Sequence, residues 1–141
     1  MTVSAHAVTV VDASIAVKWV CDEAGSERAA ALLDGRPLAA PALWLVEAAN
    51  VLWRRVRQNE LTLREVEERI GLLSAAPVRV LELQELVPDA LRLACELDHP
   101  VYDCLYLAAA IRCQGQVITA DRRFHAAASH SAGLAAMIAL L

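Results

Sequence analysis

Two short β-branched runs constrain this chain most: Val8-Thr9-Val10-Val11 ends on Asp12, and Val117-Ile118-Thr119-Ala120 ends on Asp121. Neither run shows the apolar/polar alternation of a half-buried strand. Each therefore reads as a strand covered on both faces, as in a parallel sheet. Between them the sequence turns repeatedly to helical periodicity, so strands alternate with helices and the class is α/β. Sheets of this kind bind ligands outside the carboxyl ends of their strands. Asp12 and Asp121 both belong at that edge.

The remaining elements follow from local signals. A helix is expected from about Ser14 to Val20, and a second from Ser26 to Leu33, closed by Gly35 in the position usual after a helix end. Arg36 to Ala40 reads as a short strand and Pro41 as the start of a long helix to about Gln58. Thr62-Leu63-Arg64-Glu65 has the T-x-x-E form of a capping box, followed by an apolar stripe of Leu63, Val66, Ile70 and Leu73 opposite Glu67, Glu68 and Arg69. Val78 to Leu81 reads as a third strand. Pro88 is expected to start a helix whose stripe is Leu86, Ala90, Leu93 and Leu97, and His99-Pro100 breaks it. An apolar helix from Tyr102 to Cys113, a strand from Gln116 to Thr119 and a helix opening near Asp121 follow. Ala135 to Leu141 reads equally as a last strand or a helix, so the sheet has four or five strands.

With 141 residues, five glycines, five prolines and no repeat or low-complexity stretch, the sequence reads as a single domain over residues 1–141. Hydrophobic residues make up 57%, but charges interrupt every apolar run before it reaches membrane-spanning length. Met1 to His6 has neither the basic residues nor the long apolar segment of a secretory signal, so a cytoplasmic location with no membrane association is expected. Cys21, Cys95, Cys104 and Cys113 form no CxxC pair and read as reduced core residues. No glycine-rich loop follows a strand, so no nucleotide cofactor is expected.

Two further acids sit in apolar surroundings. Glu47 lies inside Ala42-Leu43-Trp44-Leu45-Val46-Glu47-Ala48-Ala49, and Asp103 precedes Cys104-Leu105-Tyr106-Leu107-Ala108-Ala109-Ala110-Ile111. With Asp12 and Asp121 they make four carboxylates that their neighbours would half bury, a costly placement unless cations or hydrogen bonds compensate. Seventeen acidic residues face thirteen basic ones, and setting these four aside leaves thirteen against thirteen. The net charge of −4 thus equals the four singled-out acids. Mg²⁺ and Mn²⁺ favour carboxylate oxygen and water, and a pair of such ions activates water for in-line attack on phosphorus. Phosphodiester hydrolysis is the chemistry that four converging carboxylates favour.

The same residues carry a family likeness. Val11-Asp12-Ala13-Ser14-Ile15-Ala16-Val17-Lys18-Trp19 resembles the opening motif of PIN-domain ribonucleases, especially the VapC toxins of prokaryotic toxin–antitoxin systems. Pro41 to Asn50 resembles the second acidic motif, Tyr102 to Ala108 the third and Thr119 to Phe124 the fourth, in the same order along residues 8 to 124. The resemblance implies a three-layer α/β/α sandwich around a parallel sheet and a Mg²⁺- or Mn²⁺-dependent endoribonuclease. It places the acidic quartet on Asp12, Glu47, Asp103 and Asp121. It also implies inhibition by a cognate VapB-type antitoxin, and a homodimer.

Supporting residues have functional and bland readings side by side. Ser14, Thr119 and Asn50 are placed to hold a metal-binding carboxylate or its water from behind; equally, Ser14 caps a helix, Thr119 has β propensity and Asn50 has a local backbone partner. Arg54, two helical turns beyond Glu47, reaches toward phosphate, although with Arg55 and Arg57 it also forms the basic helix end that the dipole favours. Arg122 and Arg123 flank the proposed metal edge and are candidates for the RNA backbone. Lys18 pairs with an acid or lies in solvent. The four histidines are given no catalytic role, and Trp44 and Trp53 read as core or as an interface. Two other classes compete: a catalytically silent PIN-fold module that binds RNA or protein, which would have lost a ligand, and a phosphoaspartate receiver or phosphatase, which would need a second acid beside Asp12.

Overall fold

In the computed structural model, which describes residues 7–141, β1 (Thr9–Val11) is buried along its whole length and lies at the centre of a five-stranded sheet. Met1 to His6, and the readings made on them, lie outside the described residues. β2 (Leu38–Pro41), β3 (Val78–Leu81), β4 (Gln116–Thr119) and β5 (Ile138–Leu140) complete it in the order β3-β2-β1-β4-β5, every neighbouring pair parallel. From β1 the chain moves outward through β2 to β3, then crosses back to the other side of β1 for β4 and β5. The direction of winding therefore reverses between β1 and β4. A crevice opens at such a reversal, at the carboxyl ends of the strands.

Alternation along the strands divides the core between the two faces of the sheet. Val10, Ala39, Val117 and Ile138, joined by register, belong to the larger cluster, together with Tyr106 and Leu107 of α6 (Val101–Cys113). Val11 and Leu38 belong to a smaller cluster under Ile15 of α1 (Ala13–Val20) and Ala29 of α2 (Ser26–Ala30). The result is the expected three-layer α/β/α sandwich. The other helices are α3 (Leu43–Arg57), α4 (Leu63–Ser74), α5 (Leu83–Leu97) and α7 (Arg122–Ser129). No helix among the described residues is long and apolar enough to cross a membrane.

Several boundaries differ from expectation, each for a tertiary reason. Pro41 ends β2 instead of opening α3: it pairs with Leu81, and the next residue, Ala42, donates its N–H to the Leu81 carbonyl at 2.9 Å. Pro88 lies inside α5, which opens earlier at Leu83. Helical geometry there lines up the fully buried Leu86 with Ala90 and Leu93, which offsets the backbone hydrogen bond that proline cannot donate. α2 stops at Ala30, short of Leu33, and Gly35 lies beyond it in a turn at φ +94°. The C-terminal segment is both things in turn, a 3-10 turn at Ala135–Met137 and then β5, whose neighbour Leu141 donates to the Thr119 carbonyl at 2.9 Å.

Some side chains also face otherwise than expected. Arg69 turns inward from α4, its Nε donating to the Val20 carbonyl at 2.7 Å. Trp44 is core, whereas Trp53 is 51% exposed with Arg57 over its ring. Cys21 and Cys104 are buried, but Cys95 is exposed; all four cysteines are free.

Candidate active site

Helices that follow strands of a parallel sheet start at its carboxyl edge, as α1, α3 and α7 do after β1, β2 and β4, and the four acids lie at or near helix starts. Asp12 is the N-cap of α1 and Asp121 the N-cap of α7. Asp103 lies in the first turn of α6, and Glu47 in the second turn of α3. Helix N-termini carry partial positive charge and unpaired N–H groups, which favour carboxylates there. All four acids line one cleft of about 490 Å³, together with Ser14, Asn50, Arg54, Tyr102 and Tyr106.

Asp12 is the most enclosed, at 6% exposure. Its Oδ1 accepts from the Ser14 N–H at 3.0 Å, from the Ile15 N–H at 3.4 Å and from the Ser14 hydroxyl, while its Oδ2 accepts from the Thr119 hydroxyl. Both hydroxyls also accept: Ser14 Oγ from the Ala120 N–H at 2.9 Å, and Thr119 Oγ1 from the Asp121 N–H at 3.0 Å. Two small side chains thus stitch the β1–α1 turn to the β4–α7 turn across the winding reversal. Ser14 and Thr119 act on Asp12 as well as on local backbone. Burial pushes the Asp12 carboxyl up to about 6 despite these donors, and the charge of Asp103 adds to the rise.

The other three acids have one partner set each. Glu47 Oε1 accepts from the Tyr106 hydroxyl, joining α3 to α6. Burial raises the Glu47 carboxyl, the tyrosine bond opposes the rise, and Asp103 adds to it. Tyr106 is 1% exposed, and burial drives its phenol far above the ordinary range, so it remains a donor. Asp103 Oδ2 lies 2.6 Å from His99 Nε2. Asp121 Oδ1 caps α7 by accepting from the Arg123 and Phe124 N–H groups at 2.9 and 3.1 Å. Unlike the others, Asp121 is exposed, because the chain leaves the sheet edge there. The charge of Asp103 raises both Asp12 and Glu47, which puts it electrostatically between them.

Sequence reasoning missed Tyr106 and His99, the partners of Glu47 and Asp103, and Tyr102, which lines the cleft. Tyr106 falls one turn after Asp103 in an otherwise apolar helix, a spacing that places it on the same face. His99 shows no comparable signal, because it precedes the helix and meets Asp103 only after the chain turns at Pro100. Of the expected phosphate contacts, Arg54 lines the cleft. Arg55 is held by Glu23, which also takes Lys18 at 3.0 Å. Arg122 instead lines a separate hollow of about 250 Å³ with Lys18, Arg28 and Leu141, and Arg123 is exposed outside the cleft lining. Asn50 lines the cleft and is exposed.

Among the described residues no three His, Cys, Asp or Glu are already drawn together as a metal cage. Each acid is instead turned to its own donor, which is what mutual repulsion of uncompensated carboxylates favours. The donor set nevertheless fits Mg²⁺ or Mn²⁺. Glu47, Asp103 and Asp121 each use one carboxylate oxygen in the hydrogen bonds above, and the second oxygen of each has no protein hydrogen bond among the described residues. Hard oxygen ligands with water completing the shell are what these cations take.

A profile of the PIN domain matches residues 9–129, a span that contains all four acids and both stitching hydroxyls. The chain belongs to the PIN domain family. Among curated relatives, Ribonuclease VapC3 of Pyrobaculum aerophilum is 32% identical over 117 residues, covering 81% of this chain and 89% of that protein. Of solved structures, VapC20 of Mycobacterium tuberculosis, a sarcin-ricin loop cleaving toxin, superposes with a TM-score of 0.67 at 20% identity, over 84% of this chain and 94% of that one. VapBC2 of Rickettsia felis, solved bound to a DNA fragment from its promoter, superposes with a TM-score of 0.68 at 11% identity, over 95% and 98% of the two chains. At those identities the two superpositions show the PIN fold.

Proposed function

We propose that residues 1–141 form a single cytoplasmic PIN domain acting as a VapC-type endoribonuclease toxin of a type II toxin–antitoxin system. It hydrolyses RNA phosphodiester bonds with Mg²⁺ or Mn²⁺, is inhibited by a cognate VapB-type antitoxin and works as a homodimer. One observation carries this reading: four carboxylates from four different helix starts line a single cleft at the winding reversal, in a chain 32% identical to Ribonuclease VapC3.

Glu47, Asp103 and Asp121 would hold the cation with Asp12, and the bound ion would activate water and offset charge on the scissile phosphate. The protein's own part is positioning. Ser14 and Thr119 fix the Asp12 carboxylate, and Tyr106 fixes Glu47. Arg54, in the same cleft, is the guanidinium best placed to take an RNA phosphate. Arg122 and Arg123 are assigned to backbone phosphates farther along the strand, and Asn50 to orienting Glu47 or its water.

Antitoxin-free protein should cut structured RNA in Mg²⁺ and stop when EDTA is added, and Asp12→Asn should be inactive in Mg²⁺. Cleavage that persists in EDTA and in the variant contradicts the mechanism. RNA retained but never cut identifies a silent binding module and overturns the proposed activity.

A further inference from the structure

Asp103 and Asp121 stand on different helices, α6 and α7, yet one side chain touches the support of both. His99 Nε2 is 2.6 Å from Asp103 Oδ2. The same imidazole stacks on the Phe124 ring, with centroids 5.8 Å apart and planes inclined by 16°. Phe124 is 1% exposed, a fixed platform, and its backbone N–H donates to Asp121 Oδ1 at 3.1 Å. The line Asp103–His99–Phe124–Asp121 therefore runs from one acid to the other through a hydrogen bond, a ring stack and a helix cap.

The backbone of His99 is pinned as well. Its N–H donates to the Ala94 carbonyl at 3.2 Å, Asp98 before it is left-handed at φ +49°, and Pro100 after it is the N-cap of α6. The side chain of His99 is 16% exposed and does not line the cleft. It is thus out of reach of a substrate there, and acts through the acids. An Asp103 carboxylate with Oδ2 held by the imidazole has lost most of its rotational freedom and presents Oδ1 alone. Partners placed behind metal-binding carboxylates in this way orient them and raise affinity.

We infer that His99 is a positioning residue that holds Asp103 in fixed relation to Asp121 and thereby sets the affinity of the acidic quartet for a divalent cation. This rests on the cation-binding reading of the quartet. Two substitutions separate the functions of the ring: His99→Phe keeps a ring to stack on Phe124 but has no donor, and His99→Gln keeps an N–H donor in nearly the same place without the ring.

The test is Mn²⁺ binding to the purified protein by titration calorimetry, without RNA, with circular dichroism of each variant as a check on folding. His99→Phe should raise the Mn²⁺ dissociation constant about tenfold to a hundredfold. His99→Gln should recover most of that loss, a rescue that a purely structural histidine would not give. Equal Mn²⁺ affinity in wild type and folded His99→Phe overturns the role of His99 and leaves the quartet standing. If His99→Phe does not fold, His99→Gln decides: weakening as large as that of Asp103→Asn overturns the role of the donor, and near-wild-type affinity supports it. A wild-type protein that takes up no Mn²⁺ overturns the quartet reading and this inference together.

Discussion

Asp12 is held by four side-chain and backbone donor groups, yet burial still pushes its carboxyl up to about 6 from an unfolded value near 3.8. Between those pH values the folded protein holds a proton that the unfolded chain has released, so this group's contribution to stability is lost as pH rises through about 6, a cost of roughly 3 kcal/mol above it. Glu47, also raised by burial, acts in the same direction. In EDTA the wild type should therefore resist urea better near pH 5 than near pH 7.5, and Asp12→Asn should flatten the difference. A variant with the full wild-type slope contradicts the assignment. Thr119→Val tests the stitching hydroxyl: it keeps the side-chain shape but leaves Asp12 Oδ2 without its donor and the Asp121 N–H without its acceptor. A loss of about 2 kcal/mol in urea unfolding is expected, and an unchanged midpoint contradicts it. At this scale the sequence exposed the acids because a charge in an apolar run is conspicuous. It concealed His99, whose partner lies across a turn, and it did not show that Asp121 would be exposed.

Elements aim these residues, and their junctions are the vulnerable places. Gly115 enters β4 against β1 so closely that an added Cβ would lie 2.0 Å from the Val8 carbonyl oxygen. Gly115→Ala should thus push β4 from β1, separate Asp121 from Asp12, and cost about 3 kcal/mol with loss of cleavage. Wild-type melting and activity in that variant would contradict the proposed junction. Thr62 caps α4 in a complete capping box with Glu65, remote from the cleft lining. Thr62→Ala should cost about 1 kcal/mol and leave cleavage per folded molecule unchanged, measured by urea unfolding beside an RNA assay. The capping box, β3 and β4 were legible because each is written in contiguous residues. The start of α3, the start of α5 and the inward turn of Arg69 were not, because the pairing of Pro41 with Leu81, the burial of Leu86 and the Val20 carbonyl decide them. Each of those partners is remote in sequence or visible only once the sheet has closed.

Across the whole molecule, winding outward from β1 in both directions gathers several helix starts at one edge and leaves the crevice between β1 and β4. Partial positive charge at those starts lowers the cost of four neighbouring carboxylates but does not cancel it, as the raised Asp12 and Glu47 show. The fold class was readable from the two aspartate-ended runs, and the sheet order was not, because the lateral placement of β5 depends on pairing that short apolar segments do not encode locally. The remaining electrostatic cost is what a divalent cation would relieve, so the quartet links cation binding to folding. The most direct measurement is a Mg²⁺ titration of the melting temperature at pH 7.5 for wild type and Asp103→Asn, without RNA or antitoxin. The wild-type midpoint should climb with Mg²⁺, reaching about 2.7 kcal/mol of stabilisation at a hundred times the dissociation constant, while Asp103→Asn stays nearly flat. An equal rise in both proteins, or none in wild type, would contradict the acidic quartet as the cation site.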